Sequence, residues 1–330
     1  MGRGTILVTG GAGYIGSHVV LQLRERGESV VILDNLSRGF RQAVGDTPLV
    51  VGDISDRPLV SRLLREHGVD TVIHFAAFTI VPESVSDPLK YYANNVCGTR
   101  NLLQCCAESG IRHFVFSSSA AVYGTLASDL AAEDSPTAPI NSYGTSKLVS
   151  EWMLRDLAVA SDLRYVALRY FNVAGSDMGG RIGQATPGAT LLIKVASEAT
   201  VGKRPHVSIF GTDYPTPDGT GIRDYIHVQD LASAHLAALD HLRREGESAV
   251  LNCGYGHGYS VRQVLDSVQR VSGRSLKIRE EPRRAGDPAV LVAKADRVRS
   301  LLGWSPKLDD LDTIVRSSLD WEAKLLRDPW

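Results

Sequence analysis

The first apolar run of the chain, Ile6-Leu7-Val8, passes directly into Gly10-Gly11-Ala12-Gly13-Tyr14-Ile15-Gly16, and this succession leaves few folds open. Glycines spaced in this way, after a strand and at the start of a helix, permit a tight turn, close approach of the backbone to a pyrophosphate, and close helix-on-strand packing. The second apolar run, Val30 to Leu33, ends at Asp34. A carboxylate at that offset can accept hydrogen bonds from adenosine ribose hydroxyls, and this context turns a weak glycine pattern into a dinucleotide-binding βαβ unit. Asp34 favours NAD over NADP because it repels a 2'-phosphate. Arg38 nearby is read as a solvated loop residue.

Further short apolar runs, at Leu49 to Val51, Thr71 to Phe75, Phe114 to Ser118 and Tyr165 to Leu168, alternate with helix-length amphipathic stretches. Strands that are apolar throughout and separated by helices predict an α/β fold, a Rossmann-type doubly wound parallel sheet covered on both faces. Asp53, ending the third strand, and Ala76-Ala77, following the fourth, fall at strand ends where such sheets bind ligands. Helix starts are marked by Asp87-Pro88 and by a capping box from Ser260 to Gln263. Beyond Asn172 the chain turns rich in Gly, Pro and Thr, as in Gly179-Gly180 and Tyr214-Pro215-Thr216-Pro217-Asp218-Gly219. The expected organisation is an NAD-binding domain over 1–172, to which 225–254 returns, and a smaller mixed α/β substrate domain over 173–330.

With 330 residues and a formal net charge of -1, the chain has no long-range attraction for nucleic acid or an anionic membrane. Its cysteines, Cys97, Cys105, Cys106 and Cys253, include no CxxC pair, so neither a metal site nor a disulfide framework is expected. They are read as buried, inert thiols. Neither a signal peptide nor a membrane span is apparent, and a cytoplasmic protein is expected.

The chemistry is carried by Tyr143-Gly144-Thr145-Ser146-Lys147. An i,i+4 pair shares a helix face, so the Lys147 ammonium is placed to favour the phenolate of Tyr143 and make it a base. A base beside a nicotinamide site implies hydride chemistry at a carbinol.

Taken in order, the glycine loop, Asp34-Asn35-Leu36, His74-Phe75-Ala76-Ala77, Asn94-Asn95-Val96, Ser117 to Gly124 and the Tyr143/Lys147 pair resemble the extended short-chain dehydrogenase/reductases. Within them the chain is similar to the UDP-hexose 4-epimerase branch. That similarity continues through Arg169-Tyr170-Phe171-Asn172, Phe210-Gly211, Asp213-Tyr214, Asp218 to Val228 and Arg284-Ala285-Gly286-Asp287, covering nearly the whole chain.

The resemblance implies that Tyr143 is the base, that Lys147 holds the nicotinamide ribose, and that Ser119 hydrogen-bonds the reacting oxygen. It places Gly10, Gly13, Tyr14, Ile15, Gly16, Asp34, Asn35, Asp53, Ile54, Phe75, Ala76, Ala77, Asn94 and Tyr170 on NAD. Phe171, Asn172, Leu192, Phe210, Arg223, Tyr225, Arg284, Asp287 and Leu291 then fall on a UDP-sugar. Arg223 and Arg284 have the fork geometry to grip pyrophosphate oxygens, with surface salt bridging the competing role for Arg284. The implied reaction interconverts UDP-glucose and UDP-galactose through a 4-keto intermediate. A homodimer through the Pro88 to Glu108 and Tyr143 to Leu157 helices is implied as well.

Three departures stand out: Thr79 replaces a lysine, Leu191 a polar Asn or His, and Leu291 a tyrosine or cysteine of the sugar pocket. The last leaves N-acetylhexosamine, pentose and uronate substrates open. A 4,6-dehydratase needs an acid and a base where this chain has Ala120-Ala121. A sensor that has lost its chemistry needs no intact Ser119, Tyr143 and Lys147.

Overall fold

Every residue of the strand Val30–Asp34 is buried, which requires layers of other residues on both of its faces. The structure, a computed structural model, describes residues 4–126, 128–284 and 287–330. Among the described residues one sheet of seven parallel strands dominates: β1 Thr5–Thr9, β2 Val30–Asp34, β3 Leu49–Val51, β4 Val69–His74, β5 His113–Ser117, β6 Arg164–Tyr170 and β7 Ala249–Cys253. Their order is β7-β6-β5-β4-β1-β2-β3. Strand order runs outward in opposite senses from β1 and β4, so a crevice opens at the carboxyl ends of these two strands. The apolar runs of the sequence are these strands, within a residue or two.

Alternate residues feed two cores. On one face Ile6, Val8 and Ile32 pack with Val19, Val20 and Leu23 of the helix Tyr14–Glu25. On the other, Leu7, Val31 and Leu33 pack with Val60, Leu63 and Leu102. Each is essentially fully buried and contributes about 1.5–3 kcal/mol by leaving water.

The helix expected from Pro88 to Glu108 is not uniform. Pro88–Tyr91 is α-helical, Tyr92–Gly98 widens into a π-helix, and Thr99–Glu108 is α-helical again. The wider turn sets Asn94 on the wall of the central cavity, while Asn95 is buried beside it. Asn95 accepts from the Phe78 N–H (2.8 Å) and donates to the Phe78 carbonyl (3.0 Å) and to Ser146 (3.0 Å). π-turns of this kind recur at functional sites. No sequence signal announced it.

The chain returns to the sheet through the helix Val228–Arg243, after which β7 pairs with β6. The smaller region combines the helices Leu192–Thr200, Val261–Ser272 and Leu311–Arg327 with short strands, among them Ile222–Arg223 paired with Val290–Ala293. The expected caps are present: Asp87 accepts from the Lys90 N–H, and Ser260 and Gln263 form the reciprocal box. Cys105, Cys106 and Cys253 are buried, but Cys97 is exposed, because the π-turn carries it outward. Among the described residues no helix is long and apolar enough to cross a membrane.

Candidate active site

A cavity of about 450 Å³ occupies the crevice at the strand ends. At its floor the glycine loop leaves no room for side chains. Gly10 has φ +69°, and a Cβ there would lie 2.5 Å from the backbone nitrogen of Ala76; a Cβ on Gly16 would lie 2.3 Å from the Gly10 carbonyl oxygen. Asp34 ties this loop to the end of β2. Its Oδ2 accepts from the Ala12 N–H (2.9 Å) and its Oδ1 from the Leu36 N–H (2.8 Å), while each oxygen keeps acceptor capacity for a ribose hydroxyl. Burial pushes the Asp34 carboxyl up, and the two N–H groups oppose that shift.

Asp53 lies two residues beyond β3, a small correction to its expected place at the strand end. It accepts from Asn35 (2.8 Å) and from the backbone (2.9 Å) and hydroxyl (2.7 Å) of Ser55. Burial acts to raise its pKa, and these bonds outweigh burial and hold it below the usual carboxylate range. Tyr14, Ile15, Ile54, Phe75, Ala76, Ala77, Asn94 and Tyr170 line the same cavity as Gly10, Gly13 and Gly16. Arg38, read as a solvated residue, is exposed yet stands at the rim.

The helix Ser142–Ala160, capped by Asn141, carries Tyr143 and Lys147 into the cavity. Ser119 and Tyr170 act on the Tyr143 hydroxyl from either side, the first favouring and the second opposing its ionisation, and Ser117 donates to the Tyr170 oxygen (3.3 Å). Lys147 departs from expectation. Its ammonium donates to the Ser117 carbonyl oxygen (2.8 Å) and lies 6.0 Å from the Tyr143 ring centre, over the Phe116 ring at 5.0 Å. It does not lower the phenol here: burial pushes Tyr143 well up, and burial also lowers Lys147 to about 7, against the opposing pull of Glu151. Sharing a helix face put both groups in one cavity but left the lysine reaching for the strand end.

The far wall holds Phe171, Asn172, Arg223, Asp287 and Leu291, with Thr79 and Leu191. Arg223 donates to the Ile222 carbonyl (2.8 Å) and lies 3.7 Å from Asp287. Four expected contacts are not on this wall. Tyr225 is buried in the core, in a strand paired with Asn172–Ala174; Leu192 opens a helix whose preceding residue, Leu191, takes the wall position. The Arg284 guanidinium stacks on Phe210, 3.7 Å from the ring centre, which occupies both side chains with each other. Glu280, four residues before it, pairs with Arg262. Ala285 and Gly286 of the same motif lie outside the described residues. The wall from Gln184 to Thr190 is not legible in the sequence, where its only signal is a Thr-Pro-Gly loop.

Residues 6–254 match the model of the NAD dependent epimerase/dehydratase family. The chain belongs to that family. Among the family's curated members, the UDP-glucose 4-epimerase of Azospirillum brasilense is 57% identical, over 97% of this chain and 92% of its own length. The UDP-glucose 4-epimerase of Halalkalibacterium halodurans is 47% identical, over 97% of this chain and 96% of its own. Among solved structures, the Brucella ovis UDP-glucose 4-epimerase in complex with NAD superposes with a TM-score of 0.94 at 44% identity, over 96% of this chain and 98% of that one. The UDP-Glc/GlcNAc 4-epimerase of Campylobacter jejuni gives 0.86 at 49% identity, over 98% and 100%. The glycine loop fits NAD: a pyrophosphate needs close approach to backbone N–H groups at a helix start, and the tight turn that gives it leaves Gly10 and Gly16 no space for a Cβ. Among the described residues no group of His, Cys, Asp and Glu could hold a metal ion.

Proposed function

We infer that the protein is an NAD-dependent 4-epimerase that interconverts UDP-glucose and UDP-galactose. The observation that carries this reading is continuity: the glycine cradle, the Tyr143 hydroxyl and Arg223 border a single cavity. Gly10, Gly13, Gly16 and Asp34 would hold the adenosine diphosphate half of NAD, and Lys147, Tyr170 and Asn94 the nicotinamide half. When bound, NAD supplies the acceptor and donor of the hydride at C4.

Tyr143 takes the proton of the 4-hydroxyl as the carbinol becomes a ketone, and returns it when the alcohol re-forms. Ser119 borders the same cavity, where it can donate to the sugar oxygen that Tyr143 serves. Lys147 alone does not draw the phenol down; the positive charge of NAD, when bound in this cavity, would add to its pull. Arg223 and Asn172 serve the pyrophosphate, and Asp287 positions Arg223. Ala120 and Ala121, on the same wall, have no proton to transfer, which disfavours elimination of water.

The reading includes a homodimer and a cytoplasmic location. Leu89 of the first interface helix and Trp152 of the second are exposed apolar residues on helices that pack together, and Val85 of the preceding helix, Val81–Ser86, is exposed as well. All four cysteines are free thiols, as a reducing compartment favours. One assay tests the function: purified protein is incubated with UDP-galactose and no added cofactor, and UDP-glucose is followed over time. Folded, NAD-loaded protein that forms none overturns the reading.

Leu291 supports a second activity. It lines the sugar side of the cavity and is shorter than a tyrosine there, so room remains for part of a 2-acetamido group, and slow epimerisation of UDP-N-acetylglucosamine follows.

A further inference from the structure

The cavity wall from Gln184 to Leu191 has no regular secondary structure, so something outside it must fix its shape. Two of its carbonyls are held from below. The Gln184 oxygen accepts from the Lys194 ammonium (2.7 Å) and from the Trp321 indole N–H (3.1 Å), and the Ala189 oxygen accepts from Arg204 (2.8 Å). A carbonyl has two lone pairs, so Gln184 is saturated by these donors.

Both cations are themselves anchored. Lys194 pairs with Glu322 and, at 3.5 Å, with Glu198; Arg204 pairs with Glu198; Lys203 reaches Glu322 at 2.9 Å. The Lys194 ammonium thus donates to Gln184 and Glu322, with the Glu198 carboxylate as a further counter-charge at 3.5 Å. Glu322 and Lys194 are both buried, with side chains 1% and 8% exposed. A buried ion pair is poor at adding stability compared with apolar residues of the same volume, whereas it is directional. Its direction here is toward the cavity wall. The same helix, Leu311–Arg327, also presses the Trp321 ring against Gly183 and donates from Lys324 to the Gly180 carbonyl (2.8 Å).

We propose that Glu322, which does not line the cavity, is a positioning residue for substrate: through Lys194 it fixes the wall from Gln184 to Leu191 against which the nucleotide sugar binds. This rests on the reading of the cavity as a UDP-sugar site. Because the wall binds ground state and transition state alike, loosening it raises KM and leaves kcat alone.

The test compares the NAD-loaded full chain with Glu322→Gln, Trp321→Phe and Asp230→Asn. Glu322→Gln is expected to raise KM for UDP-galactose roughly tenfold with kcat within about twofold, and to speed amide hydrogen exchange across 184–191. Trp321→Phe keeps the ring but removes the bond to Gln184, and gives a smaller change of the same kind. Asp230, buried in the same half of the chain, accepts from Tyr255, Lys307 and Leu308 and does not line the cavity; its variant loses stability without a change in KM. Unchanged KM and exchange in folded Glu322→Gln overturn the proposal, as does an equal rise in KM for Asp230→Asn. Should Glu322→Gln fail to fold, an unchanged KM and exchange in Trp321→Phe overturn it. Should the wild-type chain fail to epimerise, the functional reading falls, and the exchange measurement still decides whether Glu322 holds the wall.

Discussion

Lys147 donates a hydrogen bond from its ammonium to the carbonyl oxygen of Ser117, at the end of β5, two strands from the β1 that leads into the cavity floor. The consequence is a buried lysine with a carbonyl for company, whose pKa burial lowers to about 7 from 10.5. A folded value below the unfolded one means that the native state holds fewer protons between those limits. The cost of Lys147 to stability is therefore full below about pH 7 and fades as pH rises toward about 10.5. Lys147→Met should raise the Tm of NAD-free protein more at about pH 6 than at about pH 10, while abolishing turnover. An equal change in Tm at both values would show that the lysine titrates normally.

Replacing Tyr143 by Phe removes the proton acceptor and keeps the buried ring. Turnover should fall by at least roughly a hundredfold, the scale of general base catalysis, with NAD content unchanged. A nearly fully active Tyr143→Phe variant would place the base elsewhere.

Gly16→Ala introduces a Cβ 2.3 Å from the Gly10 carbonyl oxygen, a contact with backbone that cannot yield. The loop must shift, and the purified variant should carry little or no NAD by absorbance after denaturation. Full NAD occupancy would remove the glycine cradle from the cofactor site.

Glu151, two turns along the Tyr143 helix, pairs with Arg169 on β6 at 2.6 Å and accepts from Ser118 at 2.5 Å, with the ion pair almost fully buried. Glu151→Gln leaves the guanidinium without its counter-charge, so unfolding in urea should show a loss of about 3–5 kcal/mol. A loss below about 1 kcal/mol would mean that water or Tyr123, which already bonds Arg169, replaces the carboxylate.

Leu291→Tyr adds bulk to the sugar wall and should depress kcat/KM for UDP-N-acetylglucosamine more than for UDP-glucose, because the larger substrate has less space to lose. Equal losses would show that Leu291 does not gate the pocket.

Local patterning determined the sheet, the glycine loop, the Asp34 offset and the helix that carries Tyr143, because each depends on residues near one another in the chain and on periods of two or 3.6. Asp34 shows how well this works: one carboxylate at one strand end ties down the loop that precedes it by 22 residues. Tertiary structure alone decided what meets at long range. The π-turn at Tyr92–Gly98 has no compositional mark, and the stacking of Arg284 on Phe210 took both from the wall where a motif had placed them. Lys147 chose a carbonyl over a phenol, and Glu322 reached Lys194 across 128 positions. Such partners are fixed by the scarcity of acceptors in a buried space, where each charge must take whichever oxygen the packed fold presents, and sequence spacing does not encode that choice.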